Sequence, residues 1–179
     1  MKITKTAGVL TAGIFCMTLL STTPLFAQQN PALSDPEVAS VAVTANQIDI
    51  NYADIARKKS KDAEILKFAE TMARDHKAVI EQAAALAKKL GVTPKDNAVS
   101  QKLLADAKKT EKSLRAKSGK AFNKAYIDNE VAYHKAVISA VENLLIPETD
   151  NAELKALLQK VVPALKAHLG HAEMIQKTL

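Results

Sequence analysis

The sequence is poor in cysteine, tryptophan, glycine and aromatic residues, and each shortage excludes a class of protein. Its one cysteine, Cys16, lies in a segment expected to be cleaved off, so the mature chain should form no internal disulfide and must fold by packing alone. Tryptophan is absent and aromatic residues make up 4% of the chain, which disfavours a surface that stacks nucleobases. No glycine-rich phosphate loop and no Gly-x-Ser-x-Gly motif is present, which argues against the enzyme classes built on those motifs.

The charge of the chain is mildly basic, with 25 basic and 19 acidic residues and a formal net charge of +6. Both signs are interspersed along the sequence instead of forming a basic block. Such mixing keeps a protein soluble and does not create a nucleic-acid surface. We therefore expect no nucleic-acid partner. We also expect no transmembrane segment in the mature chain.

The first 27 residues have the pattern of a secretory signal peptide. Lys2 and Lys5 precede an apolar run over residues 7–20, and a polar stretch then leads to Ala27. The run is too short for a membrane span, so we predict cleavage after Ala27. Phe15 stands where a lipoprotein signal needs a small residue, which argues against lipidation of Cys16. We expect export to the periplasm of a Gram-negative bacterium, with attachment to a membrane surface left open.

The mature sequence predicts an all-α fold, because apolar residues recur at steps of three and four through long segments. We expect a flexible segment over residues 28–35 and one domain over residues 36–179. Its predicted helices span residues 36–58, 63–90, 97–116, 120–145 and 151–179. Short connections make hairpins of the first two and the last two helices, and the middle helix is weakly amphipathic. This order predicts a ferritin-like antiparallel four-helix bundle, two hairpins joined by a long crossover that carries a shorter helix.

The predicted core follows the apolar stripes of the four long helices. Its members are Val41, Ile48, Ile65, Met72, Val79, Ile127, Ile138, Leu158 and Leu165.

Three histidines interrupt these stripes once each, on three different helices. They are His76, His134 and His168, and Asp49 lies beside the stripe of the first helix. With a rise of ~1.5 Å per residue, the four positions fall at comparable depths in the bundle, within a spread of about 10 Å. Imidazole and carboxylate groups are common ligands of transition metals. We therefore predict that these four residues hold one divalent ion, either Zn, Fe or Cu.

Two further residues are candidates for the same site. Glu130 precedes His134 by one helical turn, and His171 follows His168 by three residues, so both can share a face with their neighbours. Asp75 points about 100° away from His76, which favours a supporting role from the flank. The tyrosines Tyr52, Tyr126 and Tyr133 are expected to be packing residues, although they can also donate hydrogen bonds to the site.

Other interpretations of the histidines remain open. A buried histidine is more often a hydrogen-bonded core residue than a ligand. In that case the chain is a non-catalytic interaction or stress-related structural protein with an unidentified envelope partner. The Glu-x-x-His motif of di-iron bundle proteins is absent, which argues against a di-iron oxidase or an iron store. No nucleophile with a supporting base is visible, so we expect no enzymatic activity.

Four segments of the sequence resemble one known family. They are KFAETMARDHKAVIEQ, then LGV, then SGKAFNKAYIDNEVAYHKAVI, then ELKALLQKVVPALKAHLGHAEMI. Together they resemble the exported domain of unknown function 4142 (DUF4142) family over residues 38–175. Members often have Glu at the position of Asp49, which keeps a carboxylate there, and Leu-Pro where this chain has Val162-Pro163. The resemblance implies a ferritin-like bundle in the bacterial envelope with no settled biochemical function, and members are often labelled as outer-membrane proteins.

Overall fold

The computed structural model describes residues 32–179, and within that range the chain is entirely helical. Its five main helices are α1 (Asp35–Lys59), α2 (Ala63–Leu90), α3 (Ala98–Arg115), α4 (Gly119–Ala140) and α5 (Ala152–Gln176). The predicted all-α class is confirmed, and the predicted helix ends agree to within a few residues, except at α4. The predicted signal peptide lies outside the described residues. None of the helices in residues 32–179 is long and apolar enough to cross a membrane.

Local sequence signals set the ends of the first hairpin. The Glu37 carboxylate accepts hydrogen bonds from the backbone N–H and the hydroxyl of Ser34, at 3.0 and 2.7 Å, which caps α1. Asp62 accepts from the N–H groups of Glu64 and Ile65 and so caps α2. Only a few residues separate the two helices, so α1 and α2 pack as an antiparallel pair.

Asp35, the first residue of α1, links that helix to a distant part of the chain. Its two carboxylate oxygens accept from the backbone N–H groups of Asp150 and Asn151, each at 3.0 Å. These bonds tie the start of α1 to the connection that leads into α5. Asn151 caps α5 by accepting from the backbone N–H groups of Glu153 and Leu154.

The end of α4 differs from the regular helix predicted as far as residue 145. Regular α-helix stops at Ala140, a π-helical turn follows over Val141–Leu145, and a short helical piece spans Ile146–Glu148. Pro147 explains the change, because it has no N–H to donate and its ring clashes with the carbonyl one turn back. The helical turn widens instead, and the N–H of Ile146 donates to the carbonyl of Val141 five residues earlier.

The helices pack as two hairpins, α1 with α2 and α4 with α5, and α2 also packs against α5. The connecting helix α3 lies along α1 and buries Ser100, Ala107 and Leu114. Eight of the nine predicted core residues are buried. Val79 is the exception and is half-buried, because α2 has no fully buried residue beyond His76.

The buried apolar residues form two clusters at different levels of the bundle. One contains Tyr52, Met72, Val131 and Ala172, and the other contains Val41, Ile138 and Leu165. On α4 and α5 the histidine lies between members of the two clusters, and on α1 Asp49 does. The candidate site is therefore a polar layer with apolar packing on both sides.

Candidate metal centre

The structure brings His76, His134 and His168 together from α2, α4 and α5. Their ring centroids are 5.7, 5.3 and 5.6 Å apart, nearly an equilateral triangle. All three rings are buried, with at most 8% of any residue exposed. One nitrogen of each ring lies within 4.8 Å of the corresponding atom of the other two. One ion with bonds of ~2.0–2.1 Å to nitrogen can be shared by groups at this spacing after small movements.

Each ring has one nitrogen held by a hydrogen-bond acceptor and one nitrogen without a partner. His76 Nδ1 is 2.7 Å from Asn46 Oδ1, His134 Nδ1 is 3.0 Å from the Glu130 carbonyl, and His168 Nε2 is 3.0 Å from Asp75 Oδ2. A nitrogen facing an acceptor carries the proton, so the opposite nitrogen of a neutral ring carries the lone pair. Those opposite atoms are His76 Nε2, His134 Nε2 and His168 Nδ1, and none has a hydrogen-bond partner within residues 32–179.

Two of the side chains that accept hydrogen bonds from these rings, Asn46 and Asp75, are themselves held by further hydrogen bonds. Asn46 donates its amide Nδ2 to the carbonyl of Ala42 at 2.8 Å, which turns its oxygen toward His76. Asp75 accepts from Arg74 Nε at 2.8 Å as well as from His168. Outer partners of this kind orient metal-binding imidazoles and select the tautomer.

Sequence reasoning anticipated a flanking role for Asp75 but missed Asn46. The spacing along α1 could have identified it: Asn46 precedes Asp49 by three residues, so the two lie on the same face of the helix.

Two fully buried carboxyl groups adjoin the triangle. Asp49 Oδ2 lies 3.4 Å from His76 Nε2 and 3.7 Å from His134 Nε2, and Glu130 Oε2 lies 3.6 Å from His134 Nδ1. None of their four oxygens has a hydrogen-bond partner in the part of the chain that the structure describes. Asp49, Glu130 and His134 also form a second group whose ligand-type atoms lie within 4.8 Å of one another. Glu130 thus lies beside His134, on the face of α4 that its spacing predicted.

Burial decides the protonation of these groups. Loss of solvation raises the pKa of Asp49 to about 8. Burial, with the nearby charge of Asp49, raises the pKa of Glu130 well above its ordinary value. Burial also lowers the pKa of His76 to about 3 and of His134 to about 4, and it lowers the pKa of His168 despite the hydrogen bond to Asp75. The rings are therefore neutral at pH 7, the state in which imidazole binds metals.

A small cavity of about 10 Å³ adjoins the site. Asp49, His76 and His134 form part of its wall, together with Tyr133 and Leu165. This volume is about enough for one water molecule. The layer thus has room for a single small species beside three of the candidate ligands.

The remaining candidates lie outside the triangle. His171 packs edge-on against Phe68, with ring centroids 5.2 Å apart, and belongs to neither group of ligand-type atoms. Tyr133 donates its hydroxyl to the carbonyl of Ala45 at 2.9 Å and packs edge-on against Tyr52. Tyr126 is completely buried and its hydroxyl has no partner. Packing therefore explains Tyr52 and Tyr133, as the sequence suggested, and the Tyr126 hydroxyl is unexplained.

Solved structures of two other proteins resemble this chain in fold. A crystal structure of a DUF305 fragment from Deinococcus radiodurans matches with a TM-score of 0.69 and 12% identity, over 83% of this chain and 100% of the fragment. The structure of CopM in the Cu(II)-bound form matches with a TM-score of 0.59 and 18% identity, over 82% of this chain and 98% of CopM. At these identities the similarity concerns the fold alone. None of the curated proteins matches the sequence.

The family is established by the sequence itself. Residues 21–175 match the family model described as a domain of unknown function, DUF4142. The match covers most of the chain, including α1 to α4 and nearly all of α5. This protein therefore belongs to the DUF4142 family.

Proposed function

We propose that this protein binds one divalent transition-metal ion inside its helical domain, through His76, His134 and His168, with Asp49 as the fourth ligand. One observation carries the proposal: in each of the three buried rings, one nitrogen is hydrogen-bonded to an acceptor and the other has no partner among the described residues. Buried polar atoms are nearly always hydrogen-bonded, so three exceptions directed at one layer need an explanation. Binding of a cation supplies one.

The charge of the layer favours a divalent cation. The three neutral rings contribute no charge, whereas Asp49 and Glu130 contribute two negative charges when ionised. An isolated buried carboxylate is strongly disfavoured, but a paired one is tolerated. A doubly charged cation balances both carboxylates, with Asp49 as a ligand and Glu130 either as a further ligand or as a neighbouring counter-charge.

The donor set limits the choice of ion. Three imidazole nitrogens and a carboxylate oxygen suit Zn(II) and Fe(II), and they suit Cu(II) if the site flattens. Calcium and magnesium prefer oxygen ligands and fit poorly. The copper-bound form of the structural neighbour CopM is a reason to include copper among the ions tested.

The wider setting of the site is also part of the proposal. The packing of α1 with α2 and of α4 with α5, with α3 between the hairpins, supports a ferritin-like bundle in which α3 belongs to the crossover. The signal-peptide pattern of the first 27 residues supports export, and a periplasmic site would load its metal after export.

The proposal is tested by calorimetric titration of metal-stripped protein, prepared without an affinity tag, with Zn(II), Cu(II) and anaerobic Fe(II). We expect about one equivalent of at least one ion to bind. His134→Ala should weaken binding by more than the roughly 10–100-fold that loss of an outer-shell partner causes. His171→Ala is the matched control, because it removes a histidine from the same protein but outside the triangle, and its affinity should equal that of the wild type.

Circular dichroism should accompany each titration to verify that the variants are folded. Absence of binding by folded wild type would overturn the proposal, as would equal affinity in folded His134→Ala. The three rings would then be core residues of a non-catalytic structural or interaction protein.

A further inference from the structure

The fold separates charges that are interspersed along the sequence. Residues 57–64 span the connection between α1 and α2, and residues 112–124 span the connection between α3 and α4. The two connections are in contact, because the Ser60 hydroxyl donates to Asn123 Oδ1 at 2.9 Å. Together they form one end of the domain, which we call the basic end. It contains nine basic side chains and two acidic ones.

The opposite end of the domain has the reverse charge. It comprises residues 35–37, 88–97 and 148–153. The N–H of Lys95 donates to the Pro36 carbonyl at 2.9 Å, and the N–H of Asp150 donates to Asp35 at 3.0 Å, so these segments are in contact. They contain six acidic and three basic side chains, and the other described residues contain eleven of each sign. The net positive charge of residues 32–179 therefore comes entirely from the basic end.

Most of the charges at the basic end are unpaired. Three of the nine basic side chains pair with acids on their own helices, namely Arg57, Arg115 and Lys124. Lys59 donates to the carbonyl of Arg115. The other five have no ion pair within residues 32–179, and four of these are exposed: Lys58, Lys61, Lys112 and Lys120.

The two acidic residues of the basic end do not cancel this charge. The Asp62 carboxylate accepts from two backbone N–H groups at the start of α2, and Glu64 lies in the first turn of the same helix. Both carboxylates thus lie at the positive end of the α2 dipole. Charges of one sign gathered on one surface repel one another, which disfavours the compact state. An anionic partner would relieve that repulsion.

We propose that the basic end docks on a membrane surface that contains anionic phospholipids. Each lysine or arginine close to such a surface strengthens binding roughly fivefold. Leu179, which is 49% exposed, lines a shallow hollow together with Lys120 and Lys124. Basic side chains beside an exposed apolar one are typical of surfaces that lie in the headgroup layer.

A single-stranded nucleic acid fits this surface less well than lipid does. Proteins that bind single strands stack the bases on exposed aromatic side chains. Every aromatic side chain in residues 32–179 is buried or half-buried. Lipid headgroups need no such stacking surface, so the observed combination of lysines and an apolar residue favours the membrane.

Docking in this orientation would turn the acidic end away from the lipid. His134 lies ~22 Å along α4 from the first residue of that helix, so the histidine layer would stand clear of the headgroups. Binding to lipid needs no metal, and the inference therefore does not depend on the proposed metal site.

The test is cosedimentation of the processed, metal-stripped protein, purified from the cell envelope, with lipid vesicles. One set contains phosphatidylcholine alone, and the other contains equal parts of phosphatidylcholine and phosphatidylglycerol. We expect binding to the anionic vesicles alone. The binding should be lost at ~1 M salt, where the Debye length falls to ~3 Å.

Two variants with the same change in net charge locate the surface. The first removes the exposed charges of the basic end by Lys58→Gln, Lys61→Gln, Lys112→Gln and Lys120→Gln. It should bind the anionic vesicles at least about 100-fold more weakly than the wild type. The matched control removes four exposed lysines elsewhere, by Lys77→Gln, Lys88→Gln, Lys108→Gln and Lys160→Gln, and it should bind nearly as tightly as the wild type.

Several results would overturn the inference. These are absence of vesicle binding by the wild type at low salt, equal losses in the two folded variants, and tighter binding to duplex DNA than to the anionic vesicles. It would also be overturned if the wild type sedimented as an oligomer that the basic-end variant converts to monomer, because the acidic end of a second copy would then cover this surface. Circular dichroism verifies the fold of each variant, and the lipid and salt comparisons on the wild type test the inference without any substitution.

Discussion

Replacing Asp49 with Asn should stabilise the metal-free protein at neutral pH, although Asp49 is completely buried in the centre of the domain. Asn has nearly the same shape but no charge to lose. Asp49 has an ordinary pKa of 3.8 and a pKa of about 8 in the folded protein, because burial removes its solvation. At pH 7 the folded protein therefore keeps this carboxyl protonated, whereas the unfolded chain releases the proton.

The size of the effect follows from this difference in proton binding. A group whose pKa is raised by folding contributes its full stability below the unfolded pKa and loses it as pH rises toward the folded pKa. For Asp49 this window runs from pH 3.8 to about 8. Each pH unit corresponds to about 1.4 kcal/mol, so at pH 7 Asp49 reduces the free energy of unfolding by roughly 4 kcal/mol. Asp49→Asn should recover up to about that amount.

The assay is urea unfolding of the metal-stripped wild type and Asp49→Asn between pH 4.5 and 8. The advantage of the variant should grow by up to about 1.4 kcal/mol per pH unit and level off near pH 8. Asp54→Asn is the matched control on the same helix, because the Asp54 side chain is 47% exposed and its pair with Arg57 should contribute at most about 1 kcal/mol at any pH.

The same substitution should have the opposite effect on metal binding. The side-chain amide that it introduces is a weaker ligand than a carboxylate and provides no negative charge, so Asp49→Asn should bind the ion less tightly than the wild type.

The urea experiment can also refute the account of Asp49 as a desolvated carboxyl group. It would do so if metal-free Asp49→Asn were less stable than the wild type at pH 7 to 8, or if its stability advantage did not change with pH.

Three further predictions concern the Asp75–His168 hydrogen bond, the apolar core and the predicted signal peptide. Asp75→Ala should weaken metal binding roughly 10–100-fold in a competition with a chelator, because it removes the acceptor that fixes the His168 ring, and unchanged affinity would contradict that role. Leu158→Ala should lower the free energy of unfolding by about 2–5 kcal/mol, whereas Leu104→Ala, at a residue 42% exposed, should change it by at most about 0.5 kcal/mol in the same urea titration. Mass spectrometry of the protein from the cell envelope should find an N-terminus at or within a few residues of Gln28, and an intact Met1 there would contradict cleavage.

Periodicity in the sequence was sufficient to predict the helices and to single out the three histidines. Each histidine replaces an apolar residue in a stripe of period 3.6, so its burial followed from the stripe. The relative heights of the residues were harder to predict. Counting the rise per residue left a spread of about 10 Å, but the ring centroids lie 5.3–5.7 Å apart. The packing of the helices against one another sets the true heights, and it cannot be read from a count along the chain.

The supporting residues were only partly predictable, for a physical reason. Asn46 and Asp75 act across helix interfaces, 30 and 93 positions along the chain from the histidines that they contact. A polar residue beside an apolar stripe is common, and its partner depends on the rotation of the neighbouring helix. Val79 was wrongly placed in the core for a related reason, since its stripe continues beyond the part of α2 that is fully covered.

The position of the polar layer between two apolar clusters supports a role in binding. Three ring nitrogens and four carboxyl oxygens are buried there without hydrogen-bond partners. Each unsatisfied group costs about 1–3 kcal/mol, so the layer weakens the domain unless something satisfies it. Apolar residues of similar volume at the same positions would often be equally or more stabilising. The apolar clusters on both sides offset this cost and hold the four helices in register, so the proposed ligand atoms would already be in place before an ion binds. Stability alone does not explain such a layer, whereas the proposed binding of a divalent ion would.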